Sequence, residues 1–158
     1  MWPRADHIDK TASYPWDNVN RMKELGLFGV PVPTEYGGAG LGRVGYCIVV
    51  EELGWACNST ANAFGAHSSL CESPIIYWGS EELKQRYLPK LASGEWLGCW
   101  SLTEPEAGSE PAGTRSHAEL EDGMWVLNGT KTFTTNAHYP DLCVAMALTD
   151  RAAAQHGI

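Results

Sequence analysis

The composition of the chain changes near Gly94, and this change limits the folds that the chain can adopt. Before Gly94, apolar residues recur at helical spacing between short links. After Gly94, aromatic and β-branched residues replace the helix formers, and turn residues become frequent. We therefore predict an α+β fold, with an all-helical bundle over residues 1–95 and strands over residues 96–158.

Periodicity and capping residues predict a run of helices with short links in the first part. Asp17 or Asn18 can cap a helix that Gly26 ends, and Ser80 can cap a later one. The predicted helices cover residues 18–25, 42–57, 58–70 and 73–78 and a segment that begins after Ser80. We expect residues 1–16 to be an irregular tail, and residues 26–42, which are rich in Gly and Pro, to be a long loop.

Strand patterns fill the second part of the chain. They predict strands over residues 96–102, 115–120, 124–127, 130–135 and 142–148. Asp122-Gly123, which separates two of these segments, is a strong signal for a tight hairpin turn.

Charge and hydropathy exclude several classes of function. The net charge is −8 and no basic stripe is present, which argues against nucleic acid as a partner. No apolar run approaches 18 residues, so we expect no membrane span, and the first ten residues lack the apolar region of a signal peptide.

The cysteines and histidines give no sign of a metal site. His67 has no second ligand at metal spacing, so we expect it to be a hydrogen-bonded structural residue. The cysteines lack CxxC spacing and lie among apolar neighbours, which predicts buried thiols in a reducing compartment. They are Cys47, Cys57, Cys71, Cys99 and Cys143.

The segment over residues 97–113, LGCWSLTEPEAGSEPAG, passes from an apolar, aromatic stretch into a loop dense in Gly, Ser, Thr, Glu and Pro. Its small residues let the backbone approach a bound group, and its hydroxyls and amides can bind a polar ring edge or a phosphate. Together with residues 26–42, 79–95 and 127–137, it resembles the acyl-CoA dehydrogenase family, whose flavoproteins carry a pattern close to LTEPxAGSD. These segments lie in the order and at the approximate spacing found in the family, and they are distributed over residues 26–137.

The resemblance implies an architecture and a cofactor. It implies an N-terminal helical domain followed by part of a β-barrel-like middle domain, without the C-terminal helical domain of the family. The implied cofactor is FAD. By motif, the residues at flavin-contact positions are Trp100, Leu102, Thr103, Ser109, Phe133, Thr134 and Thr135, and Ser109 would also border the acyl-CoA substrate.

Two positions depart from the family pattern. Phe133 stands where the family usually has a tryptophan that covers one face of the flavin ring. Phenylalanine can still stack there, although with less area and without an indole donor. Glu110 stands in place of an aspartate, so the charge is kept but displaced by one methylene.

The family reaction is the α,β-dehydrogenation of an acyl-CoA thioester. A glutamate removes the α-proton while the β-hydrogen leaves as hydride to the flavin. In the family this base lies in a later helical domain, so we expect the chain to hold the cofactor wall without the catalytic base. By motif Glu104, Glu106 and Glu110 are loop residues. We therefore expect no catalytic residue and no metal ligand here, and a chain that is a piece of a longer protein.

The resemblance also implies partners and a compartment. These are an acyl-CoA substrate, an electron-transferring flavoprotein, assembly as a homotetramer or homodimer, and a location in the bacterial cytoplasm or the mitochondrial matrix. Two alternatives stay open from the sequence. One is an acyl-CoA oxidase, which returns electrons to oxygen, and the other is a non-catalytic subunit that pairs with a complete one.

Overall fold

A computed structural model of the protein describes residues 1–150, 152, 153 and 157. The helices in this part of the chain are α1 (Trp2–Thr11), α2 (Trp16–Glu24), α3 (Gly42–Ala56), α4 (Asn58–Gly65), α5 (Glu72–Trp78) and α6 (Glu81–Ala92). The strands are β1 (Gly98–Ser101), β2 (His117–Glu121), β3 (Met124–Asn128) and β4 (Leu142–Ala145). β1 pairs with β4, and β2 pairs with β3.

The chain forms two compact units. The helical unit consists of Met1–Cys99 and Thr135–Leu142. The strand unit consists of Trp100–Thr134 and Cys143–Ile158. The segment 135–142 therefore belongs to the helical unit, although it follows β1, β2 and β3 in sequence.

The core of the helical unit is aromatic at its centre. Phe28 and Phe64 are almost fully buried, and their ring centroids lie 6.0 Å apart. Tyr46 from α3 stacks on Phe64 at 5.6 Å. Burial of each phenylalanine contributes about 1.5–3 kcal/mol, so this stack supplies much of the packing energy between the helices. The buried cluster comprises Val19, Met22, Phe28, Leu53, Ala61, Ala63, Phe64 and Leu97.

The predicted tail at the N-terminus is wrong, because residues 2–11 form α1. Pro3 lies in the first turn of the helix, where its missing N–H removes no hydrogen bond. Ile8 is the buried residue of α1, and Ala12 ends the helix in a left-handed conformation. A single apolar anchor in a polar sequence gives too weak a periodic signal for a helix to be predicted.

The two helices predicted over residues 58–78 form one nearly continuous rod. A π-helical turn, Ala66–Cys71, joins α4 directly to α5. The wider π-helical turn ends three residues before Pro74. Pro74 has no backbone N–H to donate, and the helix nevertheless continues through it. The break expected at Ser73-Pro74 is therefore absent.

His67, in the π-helical turn, is a buried structural residue, as predicted. Its Nδ1 accepts a hydrogen bond from the Gly98 amide at 2.9 Å, which places the ring proton on Nε2. Nε2 lies 3.1 Å from Oε1 of Glu72 and 3.2 Å from the Leu91 carbonyl. Burial raises the pKa of Glu72, and His67 acts in the opposite direction. The imidazole thus ties α5, α6 and the start of β1 together.

The predicted cap of α6 is confirmed. The Ser80 Oγ accepts a hydrogen bond from the Leu83 amide at 3.3 Å, and Glu81 and Glu82 occupy the first turn. Predicted helix ends elsewhere shift by a few residues: α2 begins at Trp16, with Asp17 in its first turn and no side-chain cap.

Replacing Ser80 with alanine is expected to lower the free energy of unfolding by about 1 kcal/mol, because the Leu83 amide loses its acceptor. Urea unfolding followed by tryptophan fluorescence measures the loss. Ser13→Ala is the control, because the Ser13 hydroxyl lies in an exposed link and accepts only from Thr11 among the described contacts. Equal stability of the two variants would contradict the prediction.

The hairpin turn predicted at Asp122-Gly123 is confirmed. β2 and β3 form an antiparallel hairpin in which Leu120 lies opposite Trp125. Asp122 and Gly123 both have positive φ, 48° and 79°, as a tight hairpin turn requires.

The strand predicted over residues 130–135 is wrong. These residues lie outside the strands, and Phe133 has a φ of 55°, which interrupts an extended backbone. The last predicted strand is shorter than expected, since β4 ends at Ala145, and Leu148 forms an isolated bridge with His117.

The prediction that all five cysteines are buried holds for only three of them. Cys57, Cys71 and Cys99 are buried, whereas Cys47 and Cys143 are exposed. Cys47 lies on the outer side of α3, and Cys143 is an outward position of β4, so apolar neighbours in sequence did not ensure burial.

Candidate functional site

The loop that follows β1 is built around Glu104. The Glu104 and Ala107 backbones exchange two hydrogen bonds, of 2.8 and 3.3 Å, which close a tight turn. The Glu104 side chain is only 5% exposed. Its carboxylate accepts hydrogen bonds from the Arg115 amide at 2.7 Å and from the Ser116 amide at 3.0 Å. One buried side chain therefore fixes both ends of the loop 104–116.

Lys131 supplies the counter-charge for this carboxylate. Its Nζ lies 2.7 Å from Glu104 Oε1 and donates a second bond to the Leu102 carbonyl at 3.0 Å. Burial on its own would raise the pKa of Glu104, but hydrogen bonds from Lys131, Ser116 and Arg115 lower that pKa to about 2. A carboxylate with so low a proton affinity is a poor general base at neutral pH.

The two segments predicted to contact a flavin lie side by side in the strand unit. The Thr132 amide donates to the Thr103 carbonyl at 2.8 Å. The hydroxyls of Ser101 and Thr134 are hydrogen-bonded at 2.8 Å. The segments 100–103 and 131–134 thus form one continuous piece of surface.

Six of the seven predicted flavin-contact residues belong to the strand unit, and Thr135 belongs to the helical unit. Phe133 stands out because its side chain is 92% exposed. Ser109 is exposed, and four residues are half-buried: Trp100, Leu102, Thr103 and Thr134. Phe133 has a φ of 55° and lies between Thr132 and Thr134, which are both hydrogen-bonded to the segment 101–103.

The other carboxylates of the loop have local partners. Glu110 Oε1 accepts from the Ala112 amide at 3.2 Å and caps the short 3₁₀ turn Pro111–Gly113. Glu106 forms an ion pair with Arg115. The extra methylene of Glu110 is therefore accommodated by a cap within its own turn.

A groove of about 360 Å³ in the helical unit contains Thr135, the seventh predicted residue. Small residues such as Gly54, Ala61 and Gly65 leave the space open between α3 and α4. Apolar and polar side chains share the lining, with Tyr46, Val50, Asn62, Ser69 and Leu70 among them. The groove can therefore take a short chain with both apolar and polar atoms.

The sequence analysis missed Lys131 and the side chain of Asn136. Lys131 pairs with a residue 27 positions earlier, and Asn136 bonds to residues 38, 73 and 122 positions away. Neither pairing follows a local pattern. For the first pair, the sequence shows only a glutamate in a loop and a lysine in a strand-like segment, and neither indicates the other.

Family models match almost the whole chain. The model described as "Acyl-CoA dehydrogenase, N-terminal domain" matches residues 1–95, and that described as "Acyl-CoA dehydrogenase, middle domain" matches residues 99–158. The chain belongs to the acyl-CoA dehydrogenase family. The resemblance read from the motifs is thus confirmed.

Individual relatives and solved structures agree with the assignment. The short-chain specific acyl-CoA dehydrogenase of Clostridium acetobutylicum is 44% identical over 156 residues, which are 99% of this chain and 41% of that protein. A structure from work on the electron transferring flavoprotein of Acidaminococcus fermentans matches with a TM-score of 0.93 and 37% identity, over 99% of this chain and 41% of that one. An acyl-CoA dehydrogenase from Bacillus anthracis complexed with FAD matches with a TM-score of 0.82 and 37% identity, over 92% of this chain and 26% of that one.

These matches confirm the α+β fold of the acyl-CoA dehydrogenase type. The chain spans about two-fifths of the length of the curated relatives that it matches first. Among the described residues, no cluster of three or more His, Cys, Asp or Glu side chains is arranged to hold a metal ion. No helix within the described part of the chain is long and apolar enough to cross a membrane.

Proposed function

We propose that this chain forms the FAD-binding wall of an enzyme that dehydrogenates an acyl-CoA thioester between Cα and Cβ. One observation carries the proposal. The two motif segments, which lie about thirty residues apart in sequence, are joined by the Thr103–Thr132 and Ser101–Thr134 hydrogen bonds. These bonds place the two segments next to each other, as a shared flavin surface requires.

The residues present suit a flavin. Phe133 is 92% exposed, and a flat ring that covers it would remove its apolar surface from water. The hydroxyl and backbone groups of Thr103 suit the polar edge of the ring system, and exposed Ser109, in a loop of small residues, suits the pyrophosphate. We propose that Trp100, Leu102, Thr134 and Thr135 are further flavin contacts. Bound FAD supplies the hydride acceptor for the reaction.

We propose that the groove lined by Thr135 takes the acyl group of the substrate. By motif, Ser109 is also proposed to border the acyl-CoA. The base that removes the α-proton is proposed to lie outside this chain. Support comes from the loop carboxylates, since Glu104 is held ionised by Lys131, Glu106 is paired with Arg115 and Glu110 caps a turn.

The proposed partners and compartment are those that the family resemblance implies. An electron-transferring flavoprotein is the proposed acceptor of the electrons, and the complete enzyme is proposed to be a homotetramer or homodimer. The proposed compartment is the bacterial cytoplasm or the mitochondrial matrix. We also propose that the domain boundary lies near residue 95, between the last turn of α6 and the start of β1.

Phe133→Ala is expected to raise the dissociation constant for FAD about tenfold, because an exposed ring that stacks on the flavin is lost. Titration of the protein with FAD, followed by quenching of flavin fluorescence, measures this change. Trp125→Ala is the matched control, because Trp125 is a 62% exposed aromatic residue of the same unit with no proposed contact. The proposal fails if the unchanged protein does not bind FAD, or if both variants bind it equally well.

A further inference from the structure

Asn136, the residue after Thr135, is held by three side-chain hydrogen bonds within the helical unit. Its Nδ2 donates to the carbonyls of Ala63 and Gly98, each at 3.1 Å. Its Oδ1 accepts from the Tyr14 hydroxyl at 2.9 Å. The Asn136 side chain is buried, and these contacts use both of its N–H donors and its acceptor.

The three partners come from separate elements. Tyr14 lies in the link between α1 and α2, Ala63 lies in α4, and Gly98 begins β1. Asn136 therefore serves as a fixed point where the segment 135–142 meets three parts of the helical unit. Its φ of 70° is left-handed, a conformation that asparagine adopts more readily than most residues.

The Tyr14 hydroxyl, which donates to Asn136, keeps its proton and has a fixed position. Burial raises the pKa of its hydroxyl, so the proton stays on the oxygen throughout the physiological range. The ring is fixed by contacts with Trp16 at 4.8 Å and Tyr139 at 4.7 Å between centroids. The bond to Asn136 thus has a donor with little freedom to move.

Hydrogen bonds also hold the other end of the segment 135–142. The Leu97 amide donates to Asp141 Oδ2 at 2.8 Å, and the Asp141 amide donates to the Leu97 carbonyl at 2.8 Å. The backbone between Asn136 and Asp141 is therefore restrained at both ends. Thr135 is exposed and lines the groove, whereas the next residue is buried, so the Asn136 contacts fix the direction of the Thr135 side chain.

We propose that Asn136, oriented by Tyr14, is a positioning residue that holds Thr135 in place for its contact with the flavin. The inference rests on the proposed function, because Thr135 has a flavin to contact only if the chain binds FAD. Asn136 itself touches neither cofactor nor substrate in this proposal. It acts through the backbone that it shares with Thr135.

Three variants of the protein, each saturated with FAD, test the inference. Tyr14→Phe removes one hydroxyl and keeps the ring, and Asn136→Ala removes all three bonds. Tyr139→Phe is the control, since it removes a hydroxyl from the neighbouring ring and leaves the Asn136 side-chain bonds intact. The readouts are the dissociation constant for FAD, the visible circular dichroism of the bound flavin, and hydrogen exchange of the 135–139 amides without FAD.

We expect the dissociation constant to rise roughly 3- to 10-fold in Tyr14→Phe and further in Asn136→Ala, and to change less than about twofold in Tyr139→Phe. The flavin dichroism should change, and exchange of the 135–139 amides should speed up, in the first two variants only. Unchanged dichroism in Tyr14→Phe and Asn136→Ala, together with lowered melting temperatures, would show a purely structural role and overturn the inference alone. Failure of the unchanged protein to bind FAD would overturn the proposed function, and the flavin role of Asn136 with it.

Discussion

Replacing Lys131 with methionine is expected to lower the free energy of unfolding by about 3–5 kcal/mol, the usual cost of leaving one partner of a buried ion pair alone. Methionine keeps the length and most of the apolar stem of lysine, so the loss reports the charge and its hydrogen bonds. Glu104, 5% exposed, would keep only the two amide donors of Arg115 and Ser116. The Leu102 carbonyl would also lose its donor.

Urea unfolding of the purified protein measures this loss, with Lys10→Met as the matched control. Lys10 forms a salt bridge of 2.9 Å with Asp6, but both side chains are more than 70% exposed. Such a surface pair contributes about 0.5 kcal/mol or less. A loss in Lys131→Met as small as that in Lys10→Met would show that the Glu104–Lys131 pair adds nothing to stability.

The double variant Glu104→Gln/Lys131→Met tests whether the loss in Lys131→Met comes from the unpaired charge of Glu104. Glutamine carries no charge that needs a partner. Its single carbonyl oxygen can accept from only one of the two backbone amides, because these bond to different oxygens of Glu104. We expect the double variant to recover part of the stability that Lys131→Met loses, since the cost lies in the unpaired charge. Equal losses in the single and double variants would contradict this account.

The depressed pKa of Glu104 also predicts a dependence of stability on pH. A carboxylate whose pKa is lower in the folded state than in the unfolded one stabilises the fold above the unfolded value. This contribution is complete at neutral pH and is lost as the pH falls from about 4.5, the ordinary value, towards about 2. The stability difference between the unchanged protein and Glu104→Gln should therefore shrink between pH 7 and pH 3.

Elements of the fold with local causes were predictable from the sequence. Ser80 begins α6 because its hydroxyl and the following amides are neighbours in sequence. The hairpin between β2 and β3 forms at Asp122-Gly123, because those two residues tolerate the required positive φ. These interactions need no information from the rest of the chain.

Elements decided by distant contacts were not predictable in the same way. Residues 130–135 have the composition of a strand, yet Phe133 takes a left-handed conformation. Thr132 is bonded to Thr103, just after β1, and Thr134 is bonded to Ser101, the last residue of β1. The candidate flavin residues themselves came from motif resemblance. The contacts that hold their segments in place, namely those of Lys131 with Glu104 and of Asn136 with Ala63, are apparent only from the structure.

Gly129→Ala is expected to destabilise the protein by about 3 kcal/mol or more, through two independent costs. A Cβ at this position would lie 2.1 Å from Ser116 Oγ and 2.5 Å from Ser116 Cβ, so the neighbouring backbone must move. The φ of Gly129 is +154°, which residues with a side chain rarely adopt. Gly108→Ala is the control, because the nearest atom to its new methyl group would be Thr103 Cγ2 at 3.9 Å. We expect that variant to change stability by about 0.5 kcal/mol or less.

The same substitution should act on the Glu104 cluster. The new methyl group would displace Ser116, whose amide donates a hydrogen bond to Glu104. Lys131, which also bonds to Glu104, lies two residues after Gly129. Since both changes disturb one hydrogen-bonded group, Gly129→Ala and Lys131→Met should together cost less than the sum of their separate losses, by about 1 kcal/mol or more. Urea unfolding of the four proteins of this cycle measures the difference. Strict additivity would mean that the two sites are independent and that Ser116 does not link Gly129 to the buried carboxylate.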